Sequence, residues 1–566
     1  MLSGNKHPFL LPLSALLLCW TNRNAAQEAR TNYVTVKTVN GHVRGRLLDV
    51  DGASVAQFLG IRYAEPPVGV LRFRKPLPAR SWQPETLDAL EFGSPCAQAN
   101  GSLPPVSWLV PRDKVSEDCL FLNVWHPLGD SQDNLGVLAW IHGGGYRAGT
   151  ASDPDFDGRK LAATGNVVVV TINYRLGSFG YLYTGPGTST GNYALWDHNL
   201  ALRWIRDNIA RFRGDPGRVT VWGESAGSIA VGSLLLSRQN AGLIHRAILS
   251  SGSNFWLLPP MNRVGHEFAD RIAGHVGCLD SEKPSSKTHP AQVLRCLRSV
   301  PADAIIDAEQ TQFPDDLVTF RPAFGDEYLP LPDLTTLSKS MFIPLDSLLA
   351  GGVSEEGSLF LYFKDHVLFG PSVPKLTRKQ AFDFALKHYL GVLPEDVQAM
   401  IKEFYQKNVA SDEDSRGVFR SLIDMVGDYL IMCPTKFHAE LFAKTNRPAY
   451  FYMLDHRSKK GRFPPYMGSM HFEDVQYFFG LPFVFPGRHT DEDRAFSLLC
   501  MRVIGSYVST GKPQLPEEDI DWPVFTKEQP THVMLRAGNS SVEWGFHDDG
   551  CNLYRKIYEI FNIVTP

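Results

Sequence analysis

Apolar residues along the first half of the chain recur with two periods that alternate. Short β-branched runs that end in glycine turns, typical of buried strands, cover residues 137–145 and 166–177. Residues 192–212 then place apolar side chains at helical spacing, before another strand-like run at residues 218–225. Further runs of strand character are residues 246–253 and 448–454. This alternation predicts βαβ units, and so an α/β fold with a large, mostly parallel central sheet flanked by helices.

The stretches between the later predicted strands differ from the rest of the chain. Residues 254–346 and 363–443 combine helical patterns with proline-rich loops, and we expect them to be helical insertions around a deep active-site pocket. The sequence shows no internal repeat, low-complexity linker or abrupt change of composition. Residues 27–566 are therefore expected to form a single domain.

The N-terminal segment has the composition of a secretory signal peptide. The apolar residues 8–20 follow Lys6, and Ala25 and Ala26 offer a cleavage site, so we expect residues 1–26 to be removed. This apolar run is shorter than the roughly 20 residues that a spanning helix needs, and no later segment is apolar enough to span. We therefore expect a secreted, extracellular protein with no membrane span.

The charge balance excludes one class of partner. The 566 residues carry 56 lysines and arginines against 60 aspartates and glutamates, which gives a formal net charge of −4. Without a basic field or a run of like charges, the chain has nothing that attracts a polyanion. We expect no nucleic-acid partner.

The cysteines and two asparagines agree with an oxidising compartment. Of 8 cysteines, Cys19 leaves with the signal peptide, and seven remain. Three disulfides and one free thiol is the simplest account, with Cys500 free in an apolar, helix-like stretch. No cysteine pair has the short spacing of zinc ligands, so no metal is expected. Asn100 and Asn539 begin glycosylation sequons.

The strand-like run at residues 218–225 ends in a turn that suits a nucleophile. A serine hydroxyl is exposed when it sits on a tight turn from a strand to a helix, with glycines two residues to either side. Gly223 and Gly227 take those places around Ser225, and residues 226–236 are small and apolar like a buried helix. We interpret Ser225 as the nucleophile, and the alternative is a glycine-rich turn without chemistry.

A glycine run upstream of Ser225 predicts the oxyanion hole. In acyl transfer, negative charge develops on the carbonyl oxygen, and backbone N–H groups of glycines can converge on it. Gly144 and Gly145, which follow a predicted strand, and Ala226, which follows Ser225, are the expected donors.

The base and its acid follow Ser225 along the chain in this type of fold, in the order serine, acid, histidine. Glu356 and His471 are the best pair, since each lies in a glycine-bounded loop after an apolar segment. The residues alone leave other choices open. These are His438 and His456 for the base, and Glu355 and Asp326 for the acid.

Two long stretches carry a resemblance to a known family. Residues 212–227, FRGDPGRVTVWGESAG, and residues 117–125, EDCLFLNVW, are similar to both signatures of the type-B carboxylesterase and cholinesterase family of α/β-hydrolases. The resemblance implies the α/β-hydrolase fold, with Glu356 in SEEGS as the acid and His471 as the base. One departure is Phe472, because the family usually has glycine after this histidine; the acidic Asp474 is retained.

The resemblance implies a serine esterase that acts on small-molecule esters. Ser225 attacks the carbonyl, His471 accepts its proton and then protonates the leaving alcohol, and Glu356 orients the imidazole. Water completes the reaction on the acyl-enzyme, and the mechanism requires no metal or organic cofactor. The fold also hosts adhesion proteins without a working triad, and the residues present here favour the enzyme. A homodimer is a candidate assembly.

The resemblance also implies a disulfide pattern. Carboxylesterases of the liver type have two disulfides, and cholinesterases add a third that ties the C-terminal helix to the body. The matching pairs are Cys96 with Cys119, Cys278 with Cys296, and Cys433 with Cys551. The third pair favours the cholinesterase-like branch.

Other residues bear on whether the substrate is a choline ester. Trp108 lies inside the first disulfide loop, where cholinesterases carry a tryptophan that binds the cation, although it is one residue farther from the second cysteine. Alternatively, Trp108 is a buried residue that packs against the rest of this disulfide loop. Glu224 would add negative charge, and Tyr146 and Phe360 are expected lining residues.

Four positions point away from a strict choline preference. Arg147 and Leu359 stand where acetylcholine-selective relatives often have aromatic residues, and a cation at Arg147 would oppose a cationic substrate. Leu317 and Val318, in place of bulky phenylalanines, imply a wider acyl pocket. We expect hydrolysis of carboxylic esters that includes choline esters, with a general carboxylesterase as the alternative.

Overall fold

The computed structural model describes residues 32–99, 114–129, 134–255, 258–279, 285–314, 318–336, 342–407, 409–515, 518 and 520–563. Among them, thirteen strands form one large sheet, and two more form a separate hairpin. The strands are β1 Tyr33–Lys37, β2 His42–Val50, β3 Ala53–Arg62, β4 Thr86–Asp88, β5 Phe121–Pro127, β6 Leu135–Ile141, β7 Val168–Ile172, β8 Tyr183–Gly185, β9 Ser189–Thr190, β10 Gly214–Glu224, β11 Arg246–Ser250, β12 Ser347–Val353, β13 Ala449–Leu454, β14 Thr531–Leu535 and β15 Ser541–Trp544.

The helices lie mostly between these strands. They are α1 Arg159–Gly165, α2 Gly177–Tyr181, α3 Tyr193–Asn208, α4 Ala226–Leu235, α5 Met261–His275, α6 Pro290–Ser299, α7 Ala302–Gln312, α8 Gly357–Lys364, α9 Arg378–Ala385, α10 Glu395–Lys407, α11 Ser415–Gly427, α12 Cys433–Ala443, α13 Glu473–Phe479, α14 Leu481–Val484, α15 Asp491–Thr510 and α16 Asp548–Ile560. The turns Leu386–Leu390 and Asp428–Met432 are π-helical. Short 3-10 helices are Gly69–Leu71, Pro154–Phe156, Ile209–Phe212, Arg238–Asn240, Leu334–Thr336, Pro465–Met467 and Pro486–Arg488.

The middle of the large sheet is parallel and its margins are antiparallel. The spatial order is β1-β2-β3-β5-β7-β6-β10-β11-β12-β13-β14-β15, with β4 beside β2. Every neighbouring pair from β7 to β14 is parallel. On one side, the successive pairs from β1 through β2, β3 and β5 to β7 are antiparallel. On the other side, β14 and β15 form an antiparallel pair. This is the expected α/β-hydrolase architecture, and the two predicted insertions are the helices α5 to α7 and α9 to α12.

The central strands read as continuous apolar runs because both of their faces are buried. Along β10, Val221 packs into the core on one face and Trp222 into the core on the other. Ala139 and Trp140 of β6 divide between the same two cores. Helices cover both faces, which is the usual environment of a parallel sheet.

The parallel strands determine where polar loops meet. The carboxyl ends of β6, β10, β11, β12 and β13 lie at one edge of the sheet, and ligands of open α/β sheets bind outside that edge. The segments that follow these strands contain Gly144, Ser225, Ser251, Glu356 and His471. The topology therefore gathers residues that are far apart in the sequence.

Three disulfides brace the described chain. They join Cys96 to Cys119, Cys278 to Cys296 and Cys433 to Cys551, which are the pairs that the family resemblance implies. Cys500 is a buried free thiol.

Within the described ranges, no helix has the length and apolar character needed to cross a bilayer.

Candidate active site

Ser225 sits in a strained turn between β10 and α4. Its φ of 55° and ψ of −124° are uncommon for a residue with a side chain. The Ser225 N–H donates to the Ser250 carbonyl at 3.0 Å, which ties the turn to the end of β11. The side chain does not cap α4, and the residue is partly exposed. The turn thus holds Ser225 at the sheet edge with its side chain partly open to solvent.

The two glycines around Ser225 permit a close approach of backbone segments. A Cβ atom on Gly223 would overlap the backbone of Gly227, and one on Gly227 would overlap the carbonyl of Ile141 in β6. Any side chain at either position would force α4 away from the sheet. The Gly-x-Ser-x-Gly pattern therefore reflects packing as well as exposure of the serine.

Glu356 and His471 form a short, buried pair. His471 Nδ1 lies 2.6 Å from Glu356 Oε2, and both residues are at most 5% exposed. The other carboxylate oxygen, Oε1, accepts hydrogen bonds from Ser251 Oγ at 2.6 Å and from the Val353 N–H at 3.0 Å. These bonds fix the carboxylate, which in turn fixes the imidazole with Nδ1 toward the acid.

Ser251 was not singled out from the sequence. It follows β11 directly, so it occupies the same sheet edge as Ser225 and Glu356. Its place at the carboxyl end of a buried parallel strand is the signal that could have identified it.

The other candidates for acid and base have different partners. His438 is fully buried and lies beside Ser253 and Asn254, whereas His456 pairs with Asp493 at 2.9 Å. The remaining acids have other tasks: Asp326 accepts from the N–H groups of Tyr328 and Leu329, and Glu355 pairs with Arg420. Of the histidines and acids considered, only His471 and Glu356 contact each other.

A second carboxylate approaches the far side of the imidazole. His471 Nε2 lies 3.1 Å from Glu224 Oε1, but the two atoms are not aligned as a hydrogen bond. Glu224 directly precedes Ser225 in the sequence. Among the described residues, Nε2 has no hydrogen-bond partner and is available to a proton of the reacting groups.

Burial and neighbouring charges shift the pKa values of this cluster. Burial raises the pKa of Glu224 to about 8, with His471 opposing the shift and Asp474 and Glu356 adding to it. Burial lowers the pKa of His471, but Glu224 and Glu356 outweigh it and raise the value to about 9. Since the imidazole and the Glu224 carboxyl are in contact, they titrate as a coupled pair.

Asp474 completes the acidic surroundings of His471. Burial raises the pKa of Asp474 to about 6, and Tyr452 opposes this by donating a hydrogen bond of 2.6 Å to Oδ2. The Tyr452 hydroxyl also contacts Ser250 Oγ at 2.7 Å. The strand ends of β11 and β13 are therefore connected to the helix that follows His471.

Phe472 adopts the backbone conformation that glycine usually provides. Its φ is 78°, in the left-handed region, and it stands just before α13. The ring packs edge-on against Phe156 with the centroids 6.0 Å apart. The loop thus keeps its turn despite the side chain, and His471 retains its contact with Glu356.

The glycine loop after β6 faces the serine turn. A Cβ on Gly143 would come within 3.0 Å of Ser225 Cβ, so the two backbones are in close proximity. Gly144 and Gly145 have φ values of 102° and 62° and are partly exposed. Ala226 begins α4, where a backbone N–H has no partner within the helix. The three predicted oxyanion donors therefore lie in segments that surround Ser225.

The predicted binding residues fall in different surroundings. Phe360 packs on His471 with ring centroids 4.7 Å apart. Tyr146 is fully buried against Tyr181, and Val318 is partly buried against the core. Arg147 donates to the Phe313 carbonyl at 3.1 Å. Trp108, Leu317 and Asn100 lie outside the described residues, whereas Asn539 is exposed in the turn between β14 and β15.

Comparisons with known proteins cover nearly the whole chain. A model of the carboxylesterase family matches residues 32–554. Acetylcholinesterase-1 of Trittame loki is 33% identical over 537 residues, which are 93% of this chain and 94% of the relative. Cholinesterase of Mus musculus is 32% identical over 555 residues, 96% and 89% of the two chains. Acetylcholinesterase of Bungarus fasciatus is 35% identical over 535 residues, 92% and 86% respectively.

Proposed function

Because the chain belongs to the carboxylesterase family and is a carboxylic-ester hydrolase, we propose that Ser225, Glu356 and His471 are its catalytic triad. The observation that carries this proposal is the 2.6 Å contact between His471 Nδ1 and Glu356 Oε2 beside the strained Ser225 turn. Small-molecule esters are the substrates.

Acylation begins when the Ser225 Oγ attacks the ester carbonyl. His471 Nε2 accepts the hydroxyl proton, and Glu356 stabilises the resulting imidazolium through Nδ1. The oxyanion of the tetrahedral intermediate accepts hydrogen bonds from the N–H groups of Gly144, Gly145 and Ala226. When the intermediate collapses, the imidazolium gives its proton to the leaving alcohol, and the acyl group remains on Ser225.

Deacylation repeats the same steps with water. His471 accepts a proton from the water molecule as its oxygen attacks the acyl carbon, and the second tetrahedral intermediate is held by the same donors. The proton then passes to Ser225 Oγ as the carboxylic acid leaves. Every proton in the cycle moves through Nε2, the ring nitrogen that does not face Glu356.

We propose choline esters among the substrates, because two of the similar relatives are acetylcholinesterases and a third is a cholinesterase. Glu224 places next to the nucleophile an acidic group, which carries a negative charge above its pKa of about 8. Trp108 is the aromatic residue expected to face the cation. A general carboxylesterase is the second candidate. Arg147 stands two residues after Gly145, and its positive charge would oppose a cationic substrate.

The same proposal extends to the processing, location and assembly of the protein. Residues 1–26 are a signal peptide, 27–566 a single domain, and the mature protein is secreted, with glycans on Asn100 and Asn539 and a homodimer as its candidate assembly. A binding or adhesion protein is the disfavoured alternative, because such relatives lack a working triad.

The nucleophile assignment is tested by Ser225→Ala and by covalent labelling. The variant should fold but lose hydrolysis of aryl esters, since the partly exposed hydroxyl fills no cavity. An organophosphate should label Ser225 in the wild-type chain, and mass mapping that places the label elsewhere would overturn the assignment.

A further inference from the structure

A charged contact outside the triad connects the segments that carry its acid and its base. Arg420 lies on α11, and its guanidinium Nη1 donates to Glu355 Oε1 at 2.5 Å. Glu355 is the residue before the proposed catalytic acid. The same guanidinium contacts Asp424 one turn later at 3.0 Å, which holds the arginine side chain against its helix.

Glu355 in turn holds the segment that leads to His471. Its Oε2 accepts a hydrogen bond from the Ser469 N–H at 2.9 Å, and its own N–H donates to the Ser469 carbonyl at 2.9 Å. Glu355 also forms an isolated parallel bridge with Met470. The carboxylate and backbone of one residue therefore align the acid's loop with the base's loop.

The helix that carries Arg420 is itself packed on the acid's loop. A Cβ on Gly357, which follows Glu356, would overlap the carbonyl of Ile423 in α11. Such a backbone approach leaves little freedom between the helix and the loop. Arg420 thus acts from a rigid support and not from a flexible surface segment.

Arg420 and Glu355 differ in how far their side chains are exposed to solvent. The Arg420 side chain is 48% exposed, whereas the Glu355 side chain is only 15% exposed. An exposed ion pair contributes little to global stability. A poorly hydrated carboxylate next to Glu356 nevertheless needs a counter-charge, and Arg420 is the cation that contacts it.

We propose that Arg420 is a positioning residue for the triad. It acts through Glu355 to keep Glu356 and His471 correctly placed relative to each other. This inference rests on the proposed triad. Without the guanidinium, the Glu355 carboxylate loses its counter-charge, and its hydrogen bond to Ser469 competes with hydration. The 2.6 Å contact between His471 and Glu356 is then less well maintained.

The test compares Arg420→Met and Glu355→Gln with the wild type on an aryl ester. Active sites are first counted by titration with an organophosphate, so that kcat refers to folded enzyme only. We expect kcat to fall between about fivefold and a hundredfold in each variant with KM unchanged, because misplaced catalytic groups slow chemistry without weakening binding. The double variant should be no slower than the slower single variant.

A matched control and a conservative variant separate positioning from stability. Arg378 forms an ion pair with Asp412 at 2.8 Å, and its side chain is 41% exposed. This pair does not include Glu355, Glu356, Ser469 or His471, so Arg378→Met removes a similar contact and should leave kcat unchanged. Arg420→Lys keeps the charge and should recover most of the lost kcat. Melting temperatures of all variants are measured in parallel.

The outcomes distinguish this inference from the proposed function. If Arg420→Met retains the wild-type kcat per titrated site, or loses only melting temperature and the number of active sites, the positioning role is wrong. If the wild-type chain neither turns over esters nor reacts with the organophosphate at Ser225, the proposed triad is wrong instead.

Discussion

His471 Nε2 lies 3.1 Å from Glu224 Oε1, so the imidazole is placed between two carboxylates and not beside one alone. The second carboxylate belongs to the residue before the proposed nucleophile. Its charge favours the imidazolium, whereas the base must be neutral to accept a proton from Ser225.

The first prediction concerns the pH profile. Because Glu224 and Glu356 raise the pKa of His471 to about 9 against the effect of burial, kcat/KM should increase with pH through a step above the ordinary histidine value of about 6.5. Glu224→Gln removes one of the two charges, so the step should move to lower pH. An unchanged step in Glu224→Gln, measured with a neutral aryl ester, would show that Glu224 does not act on the base.

The second prediction concerns Phe472. Its φ of 78° is strained for a side chain, at a cost of about 1 kcal/mol, and glycine would remove that strain while losing the contact with Phe156. Phe472→Gly should therefore change the free energy of unfolding by less than about 1 kcal/mol and leave kcat nearly unchanged. Phe472→Val, whose branched Cβ tolerates this conformation poorly, should destabilise the protein by about 1 to 3 kcal/mol. Equal effects of the two changes in urea unfolding would contradict this account.

The third prediction concerns the substrate. Wild-type kcat/KM for butyrylthiocholine should match or exceed that for acetylthiocholine if Leu317 and Val318 widen the acyl pocket. Both should exceed the value for an uncharged thioester isostere, since a desolvated cation on a tryptophan face gains about 0.5 to 2 kcal/mol. Trp108→Ala should reduce only this charge preference. If Trp108→Ala changes neither substrate, the choline site is wrong and a general carboxylesterase remains.

The fourth prediction concerns Cys500. The thiol is fully buried, and burial raises its pKa well above the usual range, so a thiol reagent should modify Cys500 only in denaturant. Mass mapping after alkylation without reduction provides the measurement. Cys433 and Cys551 serve as internal controls, since both should stay unmodified until the protein is reduced. Modification of Cys500 in the folded protein would contradict its buried position.

The sequence indicated the fold and suggested the candidate site because both depend on local patterns. The turn at Ser225 needs glycines where the helix crosses the strand, and the parallel strands appear as apolar runs with helices between them. Resemblance to a family selected Glu356 and His471 from several acids and histidines. Residue types alone had left Glu355 and Asp326 open for the acid, and His438 and His456 open for the base.

The sequence patterns could not predict contacts between side chains from distant segments. Nothing near Arg420 indicates that its partner is Glu355, 65 positions earlier, because an arginine on an amphipathic helix is usually just solvated. The approach of Glu224 to His471 likewise depends on how the loop after β13 returns to the sheet edge. That path is determined by tertiary packing.

The disulfide between Cys433 and Cys551 encloses His471, the proposed base, but neither the proposed nucleophile nor the proposed acid. His471 lies inside this covalent loop, whereas Ser225 and Glu356 precede it. A protease that cuts the chain once between residues 434 and 550 would therefore produce two fragments that remain linked. The cleaved protein would migrate as one species without a reducing agent. When the cut lies between residues 434 and 471, the fragment bearing His471 would separate from the fragment bearing Ser225 only after reduction and unfolding.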